Sequence, residues 1–182
     1  MQLNRIAVKN FRLLHDVDLL LERRSTVIVG RNNSGKTSLT EVMKRLLSEN
    51  NPTFRLEDFS FGCHQSFWEA LVAAKGDASE PDVRKLLPSI EIRLSFGYVI
   101  GEPLGLLGDF IVDVDPACTE ALIVVHYALT EGRLAALFDG LTDQGETARA
   151  DFFRALRERI PAMFGSSLSA VDPNDSTNQK AV

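Results

Sequence analysis

The residues Gly30-Arg31-Asn32-Asn33-Ser34-Gly35-Lys36-Thr37 carry the types and the spacing of a phosphate cradle, G-x-x-x-x-G-K-[ST], without a gap. Gly30 and Gly35 are expected to permit backbone angles that a Cβ forbids. Successive amide N–H groups can then turn inward as an anion nest. A helix after the loop adds the partial positive charge of its N-terminus. Lys36 is placed to reach β- and γ-phosphates, and the Thr37 hydroxyl suits Mg2+, which takes oxygen ligands. The chemistry expected is therefore binding of ATP with Mg2+, with Lys36 as the catalytic side chain and Thr37 as the metal-contacting one.

Hydrolysis needs more than a cradle: an acidic pair after an apolar strand, to hold the metal and polarise water. Phe110-Ile111-Val112-Asp113 has the apolar run, but Val114 stands where a glutamate is needed, and Asp113 and Asp115 share one face of an alternating segment. Leu122-Ile123-Val124-Val125 ends in His126. Leu94-Ser95-Phe96-Gly97 faintly echoes the ABC signature sequence, yet it sits inside an alternating strand, whereas a signature opens a helix. The sequence presents a phosphate site without an identifiable hydrolytic apparatus.

The elements that must position this loop follow from periodicity. Ile6, Val8 and Phe11 mark one strand, and Val17, Leu19 and Leu21 a second. Thr26-Val27-Ile28-Val29 is a continuous apolar run and predicts a strand buried on both faces, leading into the loop. Leu39, Val42, Met43, Leu46 and Leu47 recur at helical spacing after it, and Asn50-Asn51-Pro52 should stop that helix. Ser66-Phe67-Trp68-Glu69 reads as a capping box, with Phe67, Trp68, Leu71 and Val72 as the buried face behind it. Ser79-Glu80-Pro81-Asp82 is a second helix start. Ile90 to Phe96 alternates cleanly, Ala121 to Leu129 is another strand, and Gly101 to Gly108 is loop-like. Phe152, Phe153, Leu156, Ile160, Met163 and Phe164 lie on one helical face that Gly165 should end. Residues 171–182 read as a polar, flexible tail. This order predicts a mixed α/β fold and excludes a helical bundle.

Composition sets the outer bounds. The chain has 182 residues, 45% apolar and 25% charged, which is ordinary globular usage. A formal charge of −5 excludes a basic nucleic-acid coat while leaving room for a local basic patch. No apolar run approaches the roughly 18 residues of a membrane span, and the opening residues lack the apolar core of a secretory signal. Cys63 and Cys118 have neither metal spacing nor disulfide density, so a cytoplasmic protein without membrane partners is expected. Cys63 with His64 is two residues and not a metal site, and His126 reads as a packed histidine. Trp68 beside Phe67 reads as core or a lobe interface. Arg154, Arg157 and Arg159 read as a solvated helix face, with a phosphate lid or a DNA contact as alternatives.

Ile6-Ala7-Val8-Lys9-Asn10-Phe11-Arg12, followed by Val29 to Leu39, resembles the N-terminal opening of the ABC-type ATPases of DNA metabolism: RecF, the SMC proteins and the OLD (overcoming lysogenization defect) nucleases. The G-R-N-N-S-G-K-T-S form of the loop, Phe54-Arg55-Leu56-Glu57-Asp58-Phe59 and Asp172 to Asn178 resemble the OLD-like ATP-dependent endonucleases most. The resemblance implies a P-loop NTPase lobe over residues 1–182, an incomplete ABC-type domain whose antiparallel sheet flanks the loop strand. It makes Gly30, Arg31, Asn32, Asn33, Ser34, Gly35, Lys36, Thr37 and Ser38 the nucleotide site, with Asn10 and Arg12 near the base or a dimer partner; the family's metal-contacting glutamine is not placed, and Gln65 is a weak candidate for it. It further implies a homodimer, or assembly with a missing C-terminal half or a nuclease subunit, acting on DNA indirectly in defence or repair. Two readings of another class stand beside it. One is a complete small P-loop kinase with Arg154, Arg157 and Arg159 as its lid; the other is a non-catalytic nucleotide-binding partner subunit.

Overall fold

The computed structural model describes residues 1–48, 51–112, 115 and 117–182. Its frame is a six-stranded sheet in the order β2-β1-β3-β4-β5-β6, formed by Gln2–Phe11 (β1), Leu14–Leu20 (β2), Ile90–Gly97 (β3), Glu120–Leu129 (β4), Phe164–Val171 (β5) and Gln179–Ala181 (β6). Every neighbouring pair is antiparallel. The helices are Lys36–Ser48 (α1), Phe61–Lys75 (α2), Glu80–Leu86 (α3), Leu134–Phe138 (α4) and Ala148–Met163 (α5). The class is mixed α/β with an antiparallel sheet, as expected.

Alternation decides which sheet face is covered. Ile6 and Val8 of β1, Ile90 and Ile92 of β3, and Val125 and Tyr127 of β4 are buried and share one core with Phe67 and Leu71 of α2 and with Phe152, Leu156 and Ile160 of α5. The intervening β1 residues Arg5 and Lys9 are exposed. Aromatic rings tie the layers edge-on: Phe54 to Tyr127 at 5.1 Å between centroids, and Phe59 to Phe67 at 5.2 Å. The Tyr127 hydroxyl donates to the Phe54 carbonyl at 2.8 Å, and burial pushes its pKa up to about 12.

Several local expectations need correcting. Residues 26–29 form no strand: Val27 is 81% and Val29 85% exposed. A doubly buried strand needs neighbours on both edges, and none of the six described strands pairs with residues 26–29. The preceding turn is closed instead by the Glu22 amide donating to Thr26 Oγ1 at 2.8 Å. Helix α2 starts at Phe61 behind Ser60, so Ser66 and Glu69 lie inside it and form no capping box. The cause is upstream. The Phe11–Phe59 bridge and the Ser60 amide on the Asn10 carbonyl hold Phe59 and Ser60 extended against β1. Phe67 and Leu71 are buried in α2 but Val72 is half exposed, and in α1 Leu39 and Val42 are buried while Leu47 is exposed. Phe164 and Gly165 belong to β5, where they pair with Leu129 and Ala128, so α5 ends at Met163 before the glycine.

The second helix start holds. Ser79 caps α3 by accepting from the Asp82 amide. Within the loop-like stretch, Gly105–Phe110 is a 3-10 turn that buries Leu107. The stop expected at Asn50 lies outside the described residues. Residues 172–182 return along the sheet, where β6 pairs with β5.

Candidate functional site

The phosphate-type loop leads directly into α1, which starts at Lys36. Two of its residues take the left-handed backbone region: Asn33 at φ 63° and Gly35 at φ 88°. Gly30 does not, so its requirement is space and not angle: a Cβ there would lie 2.7 Å from Ser34 Oγ. Gly35 is buried, its carbonyl accepts from the Leu39 amide at 2.9 Å, and the turn between β1 and β2 packs on its back. A Cβ on Gly35 would sit 2.9 Å from Leu14 Cδ2 and 3.7 Å from Leu13 Cβ.

Lys36 folds back into the loop. Its Nζ donates to the Gly30 carbonyl at 2.7 Å, the Arg31 carbonyl at 2.6 Å and Ser34 Oγ at 3.3 Å. Leu13, Asn32, Asn33, Ser34, Gly35, Lys36, Thr37 and Ser38 line one cavity of about 320 Å3. Thr37 is exposed to it and Ser38 is buried. The first turn of α1 carries no acidic side chain, so nothing there opposes an anion at the helix N-terminus. The sequence-predicted loop residues are thus brought together around one concavity. Gly30 and Arg31 join it through the carbonyls that hold Lys36.

A larger cavity, about 630 Å3, lies beside the other end of α1 and is lined by Arg12, Lys44, Arg45 and Asp58 among others. Its charges are mostly spent on one another. The Asp58 carboxylate accepts from Arg12 Nε at 2.8 Å, from Arg45 Nη1 at 2.8 Å and from the Arg55 amide at 3.0 Å. Burial pushes the Asp58 pKa up, but these three donors outweigh it and hold the group below its ordinary value. No glycine lines this cavity, whereas the smaller one is lined by the glycine-containing loop.

The remaining expected candidates lie elsewhere. Asn10 Nδ2 donates to the Ser89 carbonyl at 2.9 Å, and neither Asn10 nor Arg12 lines the loop cavity. Gln65 donates to Glu69 and accepts from Arg149, again away from it. His64 Nε2 lies 3.4 Å from the Leu56 carbonyl, Cys63 is buried, and no metal-sized group of His, Cys, Asp or Glu forms among the described residues. His126 Nε2 meets Ser89 Oγ at 2.8 Å, consistent with a packed histidine. Trp68 stacks edge-on against Phe152 in the core layer. The three arginines of α5 do not converge: Arg154 pairs with Asp151, Arg157 with Glu57, and Arg159 donates to the Leu137 carbonyl at the end of α4. Asp113 and Val114 lie outside the described residues, and Asp115 accepts from the Ala117 amide in a turn. No described helix is long and apolar enough to cross a membrane.

Sequence reasoning missed Asp58 and the Leu13–Leu14 turn. The Phe54–Phe59 stretch was legible only as a resemblance, because a lone aspartate among apolar residues does not announce which arginines it will meet.

No curated protein matches the sequence. The model of the AAA ATPase domain family matches residues 1–174, nearly the whole chain, with the loop and α1 inside the match. Membership implies ATP binding, typically with Mg2+. On that match, this chain belongs to the AAA ATPase domain family.

Proposed function

We propose that this chain is the nucleotide-binding lobe of an OLD/RecF/SMC-like ABC-type ATPase acting on DNA in the cytoplasm, within an ATP-dependent endonuclease of a defence or repair system. The observation that carries the reading is the loop cavity itself. Asn33 and Gly35 bend the backbone into left-handed angles, Lys36 folds inward, and the N-terminus of α1 opens onto the same space. The residues fit a bound triphosphate. Gly35 leaves no room for a Cβ, Gly30 lies close against Ser34 Oγ, and the ammonium of Lys36 already rests on oxygen atoms of the loop.

In this reading the amides of 32–38 hold the β-phosphate and Lys36 exchanges carbonyl partners for phosphate oxygens. Thr37 would hold Mg2+, which supplies charge neutralisation across the phosphates. The exposed Val27, Ile28 and Val29 support a lobe that meets further strands, since that apolar run pairs with none of the described strands. A second half would bring the signature helix and the acidic pair, a second protomer would close over the nucleotide, and ATP would act as a switch on DNA engagement.

The test is binding and turnover of Mg-ATP by the purified chain beside Lys36→Ala. The expected result is binding that Lys36→Ala weakens by tenfold or more, on the order of a lost charge-assisted contact, with negligible turnover. Unchanged affinity in Lys36→Ala would sink the site. Robust Lys36-dependent phosphoryl transfer would favour the small-kinase reading instead.

A further inference from the structure

We propose that Asp58 is a positioning residue for the phosphate loop: its carboxylate ties helix α1 to the β1–β2 turn and so sets the gap in which the loop sits. The inference rests on the nucleotide-site reading above and names residues that control that site without lining its cavity.

Two arms meet at Gly35. One is α1, which begins at the next residue. The other is the β1–β2 turn, whose buried Leu14 stands against Gly35 at contact distance. The turn is not relaxed, since Asn10 and Arg12 hold φ values of 61° and 49°. Non-glycine residues keep such angles only where the surroundings enforce them. Here the enforcement comes from the Leu56–Asp58 turn. The Arg12 amide donates to the Asp58 carbonyl at 2.8 Å, the Ser60 amide donates to the Asn10 carbonyl at 2.9 Å, and Arg12 Nη2 reaches Asp58 Oδ1 at 2.7 Å.

The other arm is anchored on the same carboxylate. Arg45, in the last turn of α1, places Nη1 2.8 Å from Asp58 Oδ2. Its guanidinium lies over the Phe54 ring at 5.3 Å and the Phe11 ring at 6.0 Å, which fixes its aim. Arg45 is nine residues beyond Lys36, about 13 Å along a helix rising 1.5 Å per residue, so the clasp acts on the loop through α1 and the turn. Asp58 is almost fully buried, and its carboxylate resists release of either guanidinium because the lost contact leaves a buried anion short of a partner. With the carboxylate gone, the turn keeps its two main-chain bonds but loses its tie to α1, so Leu14 is free to withdraw from Gly35 and the loop to lose its back wall.

The experiment compares Asp58→Asn, Arg45→Met and Arg45→Lys with the unaltered chain, using Leu137→Val as a stability control because Leu137 is buried on α4. Two readouts are taken well below each variant's unfolding temperature. The first is hydrogen–deuterium exchange of amides 31–38 in the free protein, and the second is Mg-ATP affinity. Asp58→Asn and Arg45→Met are expected to speed exchange at 31–38 and to weaken affinity at least fivefold. Arg45→Lys, which keeps a cation on Asp58, should recover most of both, and Leu137→Val should leave both near the unaltered values. Exchange at 31–38 that matches the control in Asp58→Asn would overturn the proposal. Because exchange needs no ligand, a chain that binds no nucleotide would defeat the functional reading while the exchange data still decided the role of Asp58.

Discussion

Gly35 and Gly30 serve the same loop for different reasons, and substitution separates them. At Gly35 an alanine meets both a left-handed angle and the Leu14 methyl, with the helix fixed on one side and the turn on the other. The angle alone costs about 1 kcal/mol for a non-glycine residue, and the contact with a packed side chain adds to it. At Gly30 the angle is ordinary and the obstacle is a serine hydroxyl that can rotate away. Gly35→Ala should therefore lower the thermal midpoint clearly, while Gly30→Ala should leave it near the unaltered value and act mainly on Lys36, which shares that corner with Ser34 Oγ. Thermal unfolding of the two variants checks this, and equal losses would mean that both glycines answer to backbone angle. The motif showed which residues surround phosphate, but its spacing does not say which glycine is needed for conformation and which for space. That distinction depends on Leu14, which the motif does not contain.

At the scale of elements, the sequence was most legible where one face of an element is wet. Ile90 to Phe96 form β3, where Ile90 and Ile92 are buried as the alternation predicts while Ser95 is buried in place of Leu94 and Phe96, and the spacing of Phe152, Leu156 and Ile160 survives as the buried side of α5. Legibility failed where pairing, not burial, decides. Residues 26–29 have the composition of an interior strand, yet composition cannot supply the adjacent strand that would accept their hydrogen bonds. It failed again at Ser66, where a cap signal sits inside a helix whose start is dictated by contacts of Phe59 and Ser60 with β1. These two cases predict opposite stability effects. Val27→Thr and Val29→Thr remove apolar groups that face solvent in this chain, so each should change stability by no more than about 0.5 kcal/mol. Phe67→Ala, at a fully buried ring in contact with Phe59, should cost about 3–5 kcal/mol. Denaturant unfolding of the three variants tests the contrast. A loss near that of Phe67→Ala at Val27 or Val29 would place the run in a core.

At the scale of the whole molecule, the buried Asp58 links the first strand pair, the loop helix and the aromatic core. Its ionisation should therefore show in global stability. The carboxyl is held below its ordinary value near 3.8 in the folded chain, against burial, by the Arg55 amide, Arg12 and Arg45. The folded state then binds fewer protons than the unfolded one in that range, so stability rises with pH there. The contribution is fully present above about pH 5, where the unfolded carboxyl is already ionised, and is lost as pH falls through the lower folded value. Asp18, Asp82 and Asp175 are shifted the same way, but they lie at the surface and persist in any Asp58 variant, so they cancel from a comparison. Asp58→Asn should be less stable than the unaltered chain near neutral pH, because two arginines lose their shared anion. The two should then converge as pH is lowered below about 4, where the unaltered chain loses the same interaction by protonation. Thermal midpoints of both proteins from pH 7 down to the acid limit of reversible folding measure this directly. Parallel curves would mean that Asp58 titrates alike in the folded and unfolded chains. Convergence would show that this one carboxylate, clasped between α1 and the β1–β2 turn, couples the loop's surroundings to the stability of the fold.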